Sequence, residues 1–162
     1  MSDHAEIIYY KGNAANVEIP FAMGGKPVTV VGSGSFFDKP SLRSVTIPSS
    51  VKKIDRNAFS WCVNLEEVEL SKGLEVIGSE AFCGTDSLVS IVVPDGVTSI
   101  GDSVFNVFDH QVTNLTSVTL PASVIHMGDN VFGGCTNVTV YAPAGSYAQE
   151  WCNDYGVPFE AH

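Results

Sequence analysis

LRSVTIPSSVKKIDRNAFSWCVN, residues 42–64, is followed without a gap by LEEVELSKGLEVIGSEAFCGTDS (65–87), LVSIVVPDGVTSIGDSVFNVFDHQVTN (88–114) and LTSVTLPASVIHMGDNVFGGCTN (115–137). The segments start 23, 23 and 27 residues apart and repeat one pattern. Upstream, a degraded copy begins at about Ala14: Val17, Ile19 and Pro20 match Val45, Ile47 and Pro48, and Val28, Val31 and Phe36 match Val51, Ile54 and Phe59. It holds five extra residues around FAMGG. Two columns run through all five units, Phe36, Phe59, Phe82, Phe105 and Phe132, and Val31, Ile54, Ile77, Ile100 and Met127. Self-similarity at a fixed period of this length marks a repeat architecture.

Within a unit the apolar positions fall at 1, 4, 6, 10, 13 and 18, which fits neither a helical period nor one long strand. Positions 4 and 6 alternate as in a short strand, and Pro at position 7 ends it because it has no amide to give to a ladder. Positions 10–13 form a second short extended piece. Position 14 is Gly32, Gly78, Gly101 or Gly128, with Asp55 the exception, and is read as a turn needing positive φ. Each unit is therefore one coil of a solenoid with two parallel strands. The fold expected is mostly β: about five 23-residue coils stacked roughly 4.8 Å apart, each burying its apolar columns against its neighbours.

An open stack exposes core and strand edges, so the ends need covers. EIIYYKGN reads as a strand and turn over the first coil. Ser146 can N-cap a helix over residues 146–155 carrying Tyr147, Ala148, Trp151, Cys152 and Tyr155 on one face, stopped by Gly156 and Pro158. The expected organisation is a single domain, 1–162, with an N-terminal cap (1–13), repeats (14–137) and a C-terminal cap (138–162).

Composition agrees. The 162 residues are 44% apolar and 16% charged, so the chain can build a core. It has 22 Val and 9 Ile against 7 Leu, which favours strands. Eighteen acidic against 8 basic residues give a net charge of −10, which argues against nucleic acid and anionic membrane surfaces. No apolar run is long enough to insert in a bilayer. MSDHAEIIYY has neither a basic nor a long apolar stretch, so the chain as given is expected to carry no secretory signal.

The unit L-x-x-V-x-I-P-x-x-V-x-x-I-G-x-x-A-F-x-x-C resembles the BspA-like, Treponema-type leucine-rich repeats of bacteria. VEIPFAMGGKPVTVVGSGSFF is similar to that family's entry repeat, and AGSYAQEWCNDYGVPFEA to its closing cap. The resemblance implies a leucine-rich-repeat solenoid, a surface or secreted setting, and a non-enzymatic role in adhesion or protein interaction. It carries over no catalytic residue and no cofactor. The compartment itself is not read from the sequence.

In the first strand, positions 3 and 5 face outward. In stacking order these are Asn16 and Glu18, Ser44 and Thr46, Glu67 and Glu69, Ser90 and Val92, then Ser117 and Thr119. This small, polar, locally acidic array is the expected binding face. Its expected occupant is a protein, and the Glu67–Glu69 pair favours a basic one. A glycan partner ranks lower because these positions offer no Trp or Tyr for stacking. A second contact candidate is the insertion in the 27-residue coil, with Val107, Phe108, Asp109 and His110. The alternative function is a structural repeat segment or intracellular scaffold with no dedicated ligand site. In that reading, Ser and Thr on the face merely suit exposed strands.

Catalytic and metal chemistry find little footing. VGSGS, residues 31–35, lacks the G-x-S-x-G elbow and the third glycine of a dinucleotide loop. Cys62, Cys83, Cys135 and Cys152 read as reduced core residues, with a Cys62–Cys83 bridge left open, and no cysteine–histidine spacing suits zinc. Asp102, Asp129 and Asn130 do not form a calcium-repeat motif. An enzyme acting through Cys152 or the His110 loop is the reading least supported. Lys52 and Glu75 share a phase and are expected to form a modest ion pair.

Overall fold

The computed structural model describes residues 3–107 and 113–162. Fourteen strands and one helix follow in order: β1 (Ala5–Ile7), β2 (Asn16–Glu18), β3 (Ala22–Met23), β4 (Lys26–Val31), β5 (Ser44–Thr46), β6 (Lys53–Ile54), β7 (Glu67–Glu69), β8 (Val76–Ile77), β9 (Ser90–Val92), β10 (Ser99–Ile100), β11 (Ser117–Thr119), β12 (His126–Met127), β13 (Thr139–Ala142), α1 (Tyr147–Tyr155) and β14 (Phe159–Ala161). The second strand of every coil joins one parallel array, β1-β4-β6-β8-β10-β12, in which Val31, Ile54, Ile77, Ile100 and Met127 sit directly opposite one another. The first strands form two arrays, β2-β5-β7 and β9-β11-β13-β14. The five extra residues near FAMGG fold as an antiparallel hairpin of β3 on β4. Gly24 and Gly25 turn it with φ of 58° and 78°, the mirror-image geometry that two-residue hairpins prefer.

Counting the ends, the solenoid has about seven turns rather than five. The N-terminal segment is the second half of a further turn: Ile7 lies opposite Val31, and the Tyr10 ring stacks on Phe36 at 4.9 Å. At the other end β13 and β14 supply first strands for two more turns, with Val118 opposite Val140 and Val140 opposite Phe159. Terminal turns diverge in sequence because each contacts a neighbour on one side only.

The core is a single apolar column. Phe36, Phe59, Phe82, Phe105 and Phe132 stack with centroid spacings of 5.0, 5.4, 5.8 and 5.7 Å. Trp151 closes the column edge-on at 5.9 Å from Phe132, and its indole nitrogen donates to the Gly128 carbonyl at 3.1 Å. Helix α1 starts where expected: Ser146 accepts from the Gln149 amide, and Gly156 ends the helix in a left-handed conformation. Ala148, Trp151 and Cys152 are buried, whereas Tyr147 and Tyr155 lie at the surface. The expected five-residue face is thus a three-residue face, and Tyr155 stacks on the outside of Trp151 at 4.3 Å.

The position-14 glycines correct the turn reading. Gly32, Gly78, Gly101 and Gly128 do not have positive φ; a Cβ on Gly101 would lie 2.5 Å from the Ser79 amide nitrogen, and one on Gly78 would lie 2.8 Å from that of Arg56. At these four sites glycine suits the close approach of the adjacent coil, whereas the second coil carries Asp55 at the same position. The left-handed residue comes two positions later, at Gly34, Asn57, Glu80, Ser103 and Asn130, with φ between 54° and 62°.

Candidate functional site: an opening in the first-strand face

The side chains at positions 3 and 5 of the first strands point outward and align in columns. Asn16, Ser44 and Glu67 are opposite one another, as are Glu18, Thr46 and Glu69. Ser44 donates to Asn16 Oδ1 at 2.9 Å, and the Thr46 hydroxyl donates to Glu69 Oε2 at 3.3 Å. Farther along, Ser90, Ser117 and Thr139 form one column, and Val92, Thr119 and Tyr141 the other. Tyr141, half-buried, is an aromatic residue on this face that the repeat reading missed because it lies in the divergent closing turn. It extends the array beyond the ten positions read from the repeats, none of which is aromatic.

The two columns do not run through. At every other described junction of first strands, the ladder is extended by bonds just outside the strands: Ile47 N to Glu69 O and Val93 N to Thr119 O, Glu66 N to Arg43 O and Thr116 N to Val89 O. Between β7 and β9 the equivalent bonds from Leu70, Val89 and Ser90 are not made, and the sheet is interrupted. On the opposite side the same two coils remain joined, Val76 to Ser99 and Ile77 to Ile100. The coils therefore splay on one side only. The opening lies in a groove of about 580 Å³ that runs from Glu67, Glu69 and Leu70 across Val92 and Asp95 to Thr119, Pro121 and His162.

The ion pairs that link successive coils end just before this junction. The second and third coils are tied by ion pairs: Arg43 with Glu66, Lys52 with Glu75 at 3.1 Å, and Arg56 with Glu80 at 2.6 Å. Gly73 presses the third coil onto the second so closely that a Cβ would lie 2.0 Å from the Ser49 carbonyl oxygen. From the fourth coil onward no cation is available for such ties, since all 8 Lys and Arg lie at or before Lys72. Residues 73–162 hold 10 carboxylates and no Lys or Arg, so the whole net charge of −10 belongs to that part of the rod. The cleft lies at this boundary.

The second contact candidate is only partly described. Val107 is half-buried and its amide donates to the Gly133 carbonyl at 2.8 Å; Phe108, Asp109 and His110 lie outside the described residues. Asp102 and Asp129 serve the fold. Asp102 Oδ1 accepts from the Asp129 amide at 2.9 Å, and Asp129 Oδ1 accepts from the Tyr155 hydroxyl at 2.6 Å, which holds the Tyr155 proton more firmly than usual. The four cysteines are free, and burial pushes each thiol up to about 11. Cys62 and Cys135, at one repeat phase, donate to the carbonyls of Phe36 and Phe105, each at 3.1 Å.

Residues 6–139 match the BspA type leucine rich repeat region as six copies. Among solved structures, a leucine rich repeat protein of T. pallidum is 35% identical with a TM-score of 0.77, over 82% of this chain and 61% of that one. This chain thus spans about three fifths of that relative. A Bacteroides capillosus leucine-rich repeat protein is 27% identical, with a TM-score of 0.62 over 77% and 87% of the two chains. One from Bacteroides ovatus is 26% identical, with a TM-score of 0.67 over 97% and 44%. No curated protein matches the chain.

Proposed function

Because the chain belongs to the BspA-type leucine-rich repeat family, we propose that it is a non-enzymatic protein-binding module whose partner seats on the first-strand face, centred on the cleft between β7 and β9. The observation that carries this reading is the coincidence of that cleft with Glu67, Glu69, Ser90, Val92 and Thr119 of the outward array. Small side chains from Asn16 to Thr119 leave the flanking strands accessible, and Tyr141 adds an aromatic contact at one end. The thiols, protonated at neutral pH, support the non-enzymatic part of the reading. In a surface or secreted setting such a face would serve adhesion.

Capture from a cell lysate with wild type, with a Glu67→Lys/Glu69→Lys variant and with Lys52→Glu tests it. Lys52 lies on the second-strand side, paired with Glu75. A specific partner should be lost by the double variant and kept by Lys52→Glu, with melting temperatures nearly equal because all three side chains are exposed. Equal capture by all three proteins would move the site off this face.

A further inference from the structure

We infer that the groove anchors a protein partner through one apolar side chain flanked by lysine or arginine. The apolar group seats against Val68, Leu70 and Val92, and the cations face Glu67, Glu69 and Asp95. This deepens the preceding section and rests on its reading of the first-strand face as the binding surface. Positions 4 and 6 of the first strands point into the core, and in the neighbouring coils they are closed off: Val45, Ile47, Ile91, Val93, Val118 and Leu120 are at most 3% exposed. Val68 and Leu70 hold the same positions in the third coil, yet both are only partly buried. Core side chains thus reach solvent in the middle of the rod, where the pairing of β7 with β9 is interrupted. Across that junction Val92 is 64% exposed at position 5, where the other first strands carry Glu, Thr or Tyr. The three side chains line one groove of about 580 Å³, within the range of roughly 300–1,000 Å³ typical of ligand sites. Covering such wet apolar surface is favourable.

Charge selects what covers it. Glu67 and Asp95 have no cationic partner among the described residues, and the Thr46 hydroxyl is the partner of Glu69. Lys72 is the single Lys or Arg of the lining, and the rod beyond it carries no other. An apolar group alone would strip water from these carboxylates and leave them unpaired, which costs free energy; flanking cations offset that cost. The anionic half of the rod also draws a basic segment toward the groove by long-range attraction. Strands β7 and β9 remain neighbours, so the occupant lies over the coils and is held by its side chains. The groove continues past Val92 to Thr119 and Pro121, which gives such a segment room along the rod.

The test titrates acetyl-Lys-Lys-Leu-Lys-Lys-amide into the isotopically labelled protein at low salt, with amide chemical shifts read by residue. Saturable shifts are expected around Val68, Leu70 and Val92, and a peptide with Ala in place of Leu should bind about tenfold more weakly. Val92→Lys should weaken binding about tenfold or more. Ile125→Lys makes the same charge change at a 70% exposed aliphatic residue outside the groove and should weaken it far less. Both positions are at the surface, and an amide spectrum unchanged away from the substitution verifies the fold. Absence of saturable binding overturns the inference. Equal weakening by the two variants also overturns it, because bulk charge would then hold the peptide. Binding that needs Val92 but ignores the exchange of Leu for Ala overturns the apolar anchor and leaves the binding face standing. Shifts centred away from the first strands overturn both.

Discussion

Phe82→Ala removes the middle ring of the stacked column. Phe82 is fully buried and lies between Phe59, at 5.4 Å, and Phe105, at 5.8 Å. A buried aromatic side chain withdraws about 150–250 Å² from water. At about 25 cal/mol/Å² that is worth roughly 4–6 kcal/mol, of which alanine keeps the Cβ share. Two ring contacts add on the order of 0.5–1.5 kcal/mol each, and partial collapse of the cavity returns some of the loss. The expected cost is about 3–5 kcal/mol. For a chain of this length it lowers the melting temperature by roughly 6–20 °C. Urea unfolding followed by far-ultraviolet dichroism gives the value directly, with Phe37→Ala as control. Phe37, one residue beyond the ladder, is 45% exposed and should lose less than about 1 kcal/mol. A loss below about 1 kcal/mol at Phe82 would mean that the phenylalanine column does not hold the coils together.

Gly101→Ala should destabilise by about 1–3 kcal/mol, since the new methyl meets the Ser79 amide nitrogen at 2.5 Å. Its φ is not left-handed, so a neutral or stabilising result would refute the close-approach explanation. The thiols give a pH signature. Each folded-state pKa of about 11 lies above the ordinary value of 9.0, so the unfolded chain releases its thiol protons first. Their contribution to stability is complete below pH 9.0 and is lost as pH rises toward about 11. Cys62→Ala should show a shallower decline than wild type over that window, and an identical slope would count against burial as the cause. Tyr155→Phe removes the hydroxyl that donates to Asp129 and should lower the urea midpoint slightly, with no change refuting a role for that bond in docking the closing helix.

The repeat made most of this architecture readable, because a column such as Ile54, Ile77 and Ile100 can recur at fixed phase only if successive coils stack in register. The closing helix was equally plain from Ser146 and Gly156. The terminal turns were not: Ile7 and Tyr10 occupy the isoleucine and phenylalanine columns, yet they are spaced differently from their counterparts and carry no repeat consensus around them. Tyr141 was missed for the same reason. The position-14 glycines could not be interpreted from one chain segment, because their constraint comes from the neighbouring coil's backbone 23 or more residues away. The outward set was read correctly in direction, since strand alternation dictates it. The gap between β7 and β9 was not legible in the sequence, because the repeat pattern continues through it and the junctions beyond it, equally without Lys and Arg, are closed.

Amide hydrogen exchange, resolved by residue, reports on that gap without any ligand. In the structure the amides of Ile47, Val93, Thr116 and Ser117 donate across coil junctions, while those of Leu70, Val89 and Ser90, at the same phases, do not. Leu70, Val89 and Ser90 should therefore exchange about a hundredfold or more faster than their equivalents, because they need no unfolding step to open. Protection of all seven amides to a similar degree would show a sheet closed between β7 and β9, and the binding cleft would not exist.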